Sequence, residues 1–522
     1  MKKILTTAIL CAGLASFTAC SDFLDEEPKS SLVAETFFST EAQAQAAINR
    51  LYRNGAPNLM TAATSAYAPS ASLSGYVTGY FTNSYEGQEL VCKYSRELTR
   101  QQNTMTVSVA IDPLWDDTYS AINVANGAIK NIPNISMSES TASQLIGEAK
   151  FFRAFNYFLL VKFFGAVPLY TEPYTSLESD MYLERSATSE VYAQIESDLK
   201  DAMNSLPAAT FYNNGNRITK YAAAMTLTSV YMQQGKYAEA AETARIVIDS
   251  PHALTTNSDL ELNSAYNKIR STDGLDESIY SYEYDDQISN AGWWPTYAFS
   301  SSATAVFGTY SIFERVYGPT NQFLNVYTSN DLRIQPNQFF HWEYTNPKNG
   351  KTWTSDVAGC WFWYDEDALL NTGRGTKDRD FFRYAEALLD GAEAIAQSQG
   401  VTAEAAGYLA QVKARANMEG KTVAEITSEV QKLGKQAFIE ECWTERLREF
   451  PLEFKIWDDC VRTGKFPVIS TTEKGKVTYV DLIGAKNASG ATFKESDLLW
   501  PISLNEMQRN PNLTQNEGYA SK

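Results

Sequence analysis

Along most of this chain apolar residues return every three or four positions, the period of one face of an α-helix. The first such stretch runs from Leu32 to Tyr52. Ser39 or Thr40 can cap it, Glu41 favours its first turn, and Gly55 follows its end. The period returns at Pro113, where Trp115, Tyr119, Ile122, Ala125 or Asn126 and Ile129 form a stripe that Pro133 stops. Next comes "TASQLIGEAKFFRAFNYFLLVKFFGAVPL". Thr141 or Ser143 can cap this helix, and Gly165 with Pro168 ends it. Ala149, Phe152, Phe155, Leu159 and Phe163 share a face that predicts core.

Two further stretches read as helix pairs. Residues 220–250 carry small and apolar residues at helical spacing, a Gly-Lys-Tyr break, then "AEAAETARIVI". Residues 381–416 repeat the plan. Helix, turn, helix, with small residues where the helices cross, is the plan of a tetratricopeptide repeat. Segments 115–165 and 187–206 can supply more helices of the same kind. The period fails in two places, about 57–101 and 251–380. The first is rich in Ser, Gly, Tyr and Asn. The second holds six of the ten tryptophans, in runs such as "NAGWWPTYAFSSS", "HWEYTNPKNGKTW" and "GCWFWYDED" that suit short strands or loops. The expected fold is therefore mainly α: a tetratricopeptide-like frame of about four helix pairs, with irregular loops and short strands packed on it.

The first residues have a different pattern. Met1-Lys2-Lys3 is basic and Ile4 to Ala19 is apolar or small, the form of a secretory leader and too short for a comfortable membrane span. Phe17-Thr18-Ala19-Cys20 resembles the lipobox of bacterial lipoproteins, in which cleavage precedes a cysteine that then carries lipid. The expectation is a leader over 1–19, a mature chain from Cys20, and a protein lipid-anchored to a membrane without crossing it. Asp22, Asp25, Glu26 and Glu27 would form a solvated tether.

Composition narrows the chemistry. The formal net charge is −18, and loss of Lys2 and Lys3 with the leader makes it two units more negative. Such a chain repels nucleic acid and anionic surfaces. Only His252 and His341 are histidines, which weakens any proposal of a histidine base or a histidine-rich metal site. No Asp spacing resembles a calcium loop, and neither a cofactor nor a metal is expected. Cys92, Cys360, Cys442 and Cys460 remain beyond Cys11 and Cys20, without a CxxC pair, so three pairings stay open. Aromatic residues make up 13%, with 30 tyrosines. Most belong to a core, yet a surplus of Tyr and Trp also suits a carbohydrate or protein surface.

Taken in order, "FLDEEP", "LWDDTYSAINVANGAIKNIP", "GEAKFFRAFNYFLLVKFFGAVPL", "RSATSEVYAQIESDLKDAMNSLP", "KYAAAMTLTSVYMQQGKYAEA", "RYAEALLDGAEA", "FIEECWTERLREFPLEF" and "WPISLNEMQRNPNLTQNEGY" resemble the SusD/RagB family of outer-membrane lipoproteins of the Bacteroidetes type over some 500 residues. One departure stands out: in "EFKIWDDCVRTG", Phe454 and Ile456 replace a glycine and an arginine usual in the family. The resemblance implies a single domain over 20–522 whose four tetratricopeptide-like units form a superhelix. It implies a surface position over a SusC-like TonB-dependent transporter, and capture of glycans, or of peptides in RagB-like members, without catalysis. The acids after Cys20 resemble a surface-export signal of such bacteria.

Sugar rings need aromatic faces for their C–H groups and polar side chains for their hydroxyls. The candidate ligand residues are Tyr76, Tyr80, Asn83 and Tyr85 in the first irregular stretch, and Trp293, Trp294, Tyr297, Trp342 and Trp353 in the second, with Trp361 and Trp363 farther on. No motif fixes any one of them. Pro295 favours an extended backbone before it, which would send Trp293 and Trp294 to opposite faces. A glycosidase would need two carboxyls about 5–10 Å apart. Asp365 with Asp367, Glu440 with Glu445, and Asp116 with Asp117 are such pairs by sequence, but acid pairs are common in so acidic a chain. No Walker loop, zincin motif or GxSxG elbow is present. A pure protein-binding scaffold is the third reading.

Overall fold

The computed structural model describes residues 38–61, 74–84, 95–99, 111–174, 182–285, 292–308 and 315–519. The leader, Cys20, Tyr85 and Cys92 lie outside them. The first described helix, α1 (Glu41–Leu51), starts as its sequence predicts: Thr40 and Gln43 form a reciprocal capping box. Gly55 then turns with φ 69°, where a Cβ would stand 2.3 Å from Asn156 Oδ1. The next turn is helical, α2 (Ala56–Thr61), although residues from 57 onward read as irregular.

A stack of helices follows: α3 (Asp112–Asn131), α4 (Glu139–Phe164), α5 (Thr188–Ser205), α6 (Lys220–Gln234) and α7 (Tyr237–Ile248). It resumes with α8 (Tyr384–Gln399), α9 (Ala403–Ala416), α10 (Val423–Val430) and α11 (Lys435–Glu449). From α3 to α10 each helix packs on the next, including α7 on α8 across the long intervening stretch. This is the expected tetratricopeptide-like array. Between α6 and α7, Gly235 takes the left-handed conformation that closes a tight turn. Two local readings are corrected. Ser138, not Thr141 or Ser143, caps α4, accepting from the Thr141 N–H. Residues 381–383, read as the start of the second helix pair, belong instead to a strand, and α8 begins at Tyr384.

Helix α4 is the axis of the frame. From Phe151 to Phe164 every side chain except Lys162 is buried, so the predicted one-sided stripe understates its burial. Neighbours enclose it on several sides. Phe151 and Phe155 meet Tyr280 and Phe381 of the intervening stretch edge-on, and Arg153 grips Asp198 of α5 through two hydrogen bonds of 2.8 and 2.7 Å.

The intervening stretch carries β2 (Ser278–Tyr282), paired antiparallel with β6 (Arg379–Arg383), and a hairpin of β4 (Phe340–Thr345) and β5 (Thr352–Cys360) whose register breaks after His341. A two-residue β1 (Phe81–Thr82) pairs with β3 (Gly318–Pro319), and β7 (Lys465–Ile469) with β8 (Val477–Asp481). The β2–β6 pair packs into the core of the frame, whereas β1, β3, β4, β5 and β7 help to enclose a second hydrophobic core, rich in Tyr, Trp and Phe. Cys360, Cys442 and Cys460 are buried free thiols within the two cores.

A knot of buried charge joins the layers. Glu449, at the end of α11, receives Arg333 (3.0 Å), Arg383 (3.0 Å) and Arg415 (2.6 Å). Arg383 also reaches Glu277 (2.7 Å) and Glu453 (2.6 Å), Arg415 reaches Glu277 (2.6 Å), and Arg333 reaches Asp331 and Glu445 (2.8 Å each). Burial alone would raise the Glu445 pKa, but Arg333, Lys413 and Arg448 hold it down at about 2. Arg415 and Arg383 likewise hold Glu277 below the usual carboxylate range against its burial, so these two carboxylates act as charged fasteners. Nearby, Asp378 is buried beside β6 and accepts hydrogen bonds from Tyr212 Oη and Tyr284 N, both 2.9 Å. Burial, followed by the charge of Asp273, pushes its carboxyl up to about 7.

Two outcomes are expected. Glu449→Ala leaves three guanidiniums without their shared carboxylate and should cost about 3–5 kcal/mol in denaturant unfolding; a loss under 1 kcal/mol would show the knot to be ornamental. Asp378 holds its proton in the folded state below pH 7 but in the unfolded chain only below about 4. Its stabilising contribution is therefore complete below that lower value and disappears as pH rises through 7. Relative to Asp378→Asn, the parent protein should lose on the order of 4 kcal/mol between pH 4 and 8. Parallel stability profiles for the two proteins would contradict the assignment.

Candidate functional site

The second layer gathers most of the candidate aromatic residues, and it buries most of them. Tyr76 and Tyr80 are at most 1% exposed. Tyr76 Oη donates to the Val316 carbonyl (2.5 Å); Tyr80 Oη donates to the Pro467 carbonyl (2.5 Å) and accepts from Ile469 N (3.1 Å). Both rings act as struts between loops and present no face to solvent. Asn83, Trp294, Tyr297, Trp353, Trp361 and Trp363 are buried too. Trp353 lies under a shallow groove lined by Ser300, Ser302, Thr354 and Asp356, and its indole N–H donates to Ser302 Oγ (3.0 Å). Trp361 stacks on Tyr364 with centroids 3.8 Å apart.

Trp293 and Trp342 remain partly exposed. Trp342 sits on β4 where the pairing with β5 shifts. Trp293 and Trp294 do diverge in exposure, but not by extended geometry. Trp293 is αR and Trp294–Tyr297 forms one helical turn, with Pro295 in the first-turn position that proline tolerates. Trp294 enters the core against Trp363 (4.6 Å), while the Arg374 guanidinium lies over Trp293 at 4.3 Å from its ring centre. Among the described residues that guanidinium has no hydrogen-bond or ion-pair partner. Trp293 and Arg374 therefore set a partly exposed indole beside a cluster of uncommitted donors, the combination that a sugar's apolar face and hydroxyl rim require.

A cleft of about 160 Å³ runs along the seam between the two cores. Phe155 and Leu159 of α4 and Met232 of α6 form one wall; Trp294, Trp363 and Phe454 form the other. Phe454 has φ 59°, the left-handed conformation glycine adopts without strain. Its ring packs against Trp294 (5.4 Å) and Tyr317 (4.9 Å), contacts that offset this strain and that a glycine could not make. Charge of both signs lines it, with acids such as Asp380, Glu386 and Asp458 outnumbering cations such as Lys162, Arg379 and Lys455. Sequence reasoning missed Arg374 and Arg379, because a lone arginine in an acidic chain gives no sign of whether it is paired.

All but Asp117 of the carboxylates considered for catalysis hold partners elsewhere; Glu440 accepts from Gln436. Glu445 is locked to Arg333 and Arg448. Asp365 accepts from the Ala368 N–H and Asp367 from Asn371. Asp116 lies 3.4 Å from Arg509. Among the described residues no cluster of His, Cys, Asp and Glu could hold a metal ion, and no helix is long and apolar enough to cross a membrane.

Comparison with known proteins places this architecture. A family model described as starch-binding associating with outer membrane matches residues 22–232, and the SusD family model matches 285–519. SusD-like protein P2 of Formosa agariphila is 28% identical over 482 residues, 88% of this chain and 91% of the relative. A SusD superfamily crystal structure from Parabacteroides distasonis superposes with TM-score 0.77 at 24% identity, covering 92% of this chain and 99% of that one. Surface glycan-binding protein A of Bacteroides thetaiotaomicron, solved with laminarihexaose, superposes with TM-score 0.66 at 18% identity over 92% of this chain and all of the other. With both halves of the chain matched in order and the helical frame shared, the protein belongs to the SusD/RagB family.

Proposed function

We propose that this protein is a non-catalytic glycan-binding lipoprotein of the cell surface. It is anchored to the outer membrane through lipid on Cys20 and passes captured poly- or oligosaccharide to a SusC-like TonB-dependent transporter. The observation that carries the reading is the partly exposed Trp293 beneath the uncommitted Arg374 guanidinium. Support comes from the family description as starch-binding and outer-membrane-associated, and from a fold shared with a protein solved in complex with laminarihexaose. Arg374 covers one face of the Trp293 ring, so Trp293 offers the rest of its exposed surface and Arg374 offers hydroxyl partners beside it. Trp342 supplies a second partly exposed indole. In this reading Tyr76, Tyr80, Trp294, Tyr297 and Trp353 hold the loops that present the site and do not contact sugar. Tyr85 remains a proposed contact. The carboxylates engaged in ion pairs and turns serve structure, which suits capture without hydrolysis.

Calorimetry on the chain starting after Cys20, against a panel of oligosaccharides of several linkages, tests this. At least one oligosaccharide should bind, remain uncleaved, and lose tenfold or more in affinity on Trp293→Ala with unchanged melting temperature. Tyr80→Ala and Trp294→Ala should instead lower stability by about 3–5 kcal/mol. Binding of a peptide mixture with no response to any glycan would overturn the sugar reading in favour of a peptide carrier.

A further inference from the structure

Trp293 and Arg374 meet across a backbone bridge. Gly292, just before Trp293, pairs antiparallel with Gly375, just after Arg374. The Arg374 guanidinium lies over the indole, 4.3 Å from its ring centre. A third side chain closes on the same bridge. A Cβ on Gly375 would stand 2.6 Å from Pro295 Cγ and 3.1 Å from Asp365 Oδ2. Position 375 is therefore glycine for want of space: its backbone is clasped between the proline that follows the two tryptophans and the Asp365 carboxylate. The bridge thus gathers an indole, a guanidinium and a carboxylate from three places in the chain.

Asp365 is tied down through one carboxylate oxygen only. Its Oδ1 accepts from the Ala368 N–H at 2.9 Å, and its backbone carbonyl accepts from the Leu369 N–H. Oδ2 has no hydrogen-bond partner among the described residues, and Asp365 is partly exposed. Arg374 is partly exposed as well, and its guanidinium makes no hydrogen bond or ion pair among the described residues. Two opposite charges therefore flank Gly375 without bonding each other. The guanidinium can only donate and the carboxylate oxygen can only accept; a hydroxyl does both. The wider field is mixed too. Arg270 and Arg379 both feel Asp365. Arg270 turns its donors to Asn267 and to the Tyr364 carbonyl, and Arg379 is also faced by Asp273 and Asp380.

We propose that Asp365 is the hydroxyl acceptor of the Trp293–Arg374 site and that, together with Arg374, it selects neutral glycans over charged ones. A ligand ion placed beside two opposite charges gains from one about what it loses to the other. It still gives up its hydration, a cost far smaller for a neutral hydroxyl. Hydrogen bonds from a sugar hydroxyl to Asp365, and to it from Arg374, are charge-assisted and so among the stronger kind. The Oδ1 tether fixes the carboxylate's orientation before any ligand arrives. The inference rests on the carbohydrate reading above and adds a contact residue and the class of sugar.

The test compares hexasaccharides by calorimetry at mildly acidic pH, with enough salt to screen the chain's overall negative charge. Maltohexaose, cellohexaose, laminarihexaose and mannohexaose are the neutral probes, hexagalacturonate the anion, and the glucosamine hexamer the cation. At least one neutral hexaose should bind tenfold or more tightly than either charged one. Asp365→Asn keeps Oδ1 for the Ala368 N–H, so the melting temperature should hold, but it removes the charge that balances Arg374. Affinity for the best neutral hexaose should fall about fivefold or more while hexagalacturonate gains on it by a similar factor. Arg374→Gln should instead favour the glucosamine hexamer. A purely structural role would weaken all six probes alike and move neither ratio, and that result overturns the inference. So does a charged hexamer that binds the parent protein as tightly as the best neutral one; the glycan function then still stands, provided Trp293→Ala abolishes that binding. Silence from every hexasaccharide would remove both.

Discussion

The architecture depends on one buried carboxylate. Glu449 is fully enclosed and gathers guanidiniums from three separate parts of the chain: Arg333 and Arg383 from the intervening stretch and Arg415 from the frame. Each of these charges loses several kcal/mol of hydration on burial. None could remain inside alone, and the cluster is tolerable because its members arrive together. A set of apolar contacts could hold the two layers with equal strength. It would not tie α9, α11, β6 and the 331–333 turn to one mutual position, since dispersion is nearly indifferent to small slides whereas bidentate charge pairs are not. The knot acts as a registration device between two cores that are each apolar and each complete in themselves.

That registration is what gives the molecule a seam. Where the two hydrophobic clusters face each other without merging, the cleft lined by Trp294, Trp363 and Phe454 remains. Arg379 lines the same boundary without a bonded carboxylate. Paired and unpaired arginines thus lie near one another and are told apart by their partners. Arg383 has three carboxylates while Arg379, four residues earlier on the same strand, has none within bonding distance.

Much of the frame was legible in the sequence because its signals are local. Thr40 caps with Gln43 three residues on, Gly235 turns between two helices, and the α3 stripe from Trp115 to Ile129 faces inward as its spacing predicts. Ser138 escaped because several hydroxyl residues compete for one cap, and it is Ser138 that takes the extended backbone and accepts from the Thr141 N–H. The aromatic stretches were the harder part. A second core built from Tyr and Trp has the same composition as a sugar-binding surface, so residue type could not separate Tyr80, a strut, from Trp293, a partly exposed ring. Pairing decided the arginines, and pairing is a property of the folded chain. The departure at Phe454 was visible as a variation in packing, but its backbone was not: Phe454 holds a left-handed conformation while its ring packs on Trp294 and Tyr317.

Helix α7 ends at Ile248 and the helix it packs against begins at Tyr384. The whole intervening stretch must therefore loop out before α8 can dock, and until it docks the α7 face that carries Ala244 stays uncovered. A solenoid whose repeats follow directly in sequence can grow by adding neighbours as they emerge; this one must wait. The interruption that carries the aromatic loops therefore bears on the order of assembly, and a folding chain of this kind has reason to be shielded until its eighth helix docks.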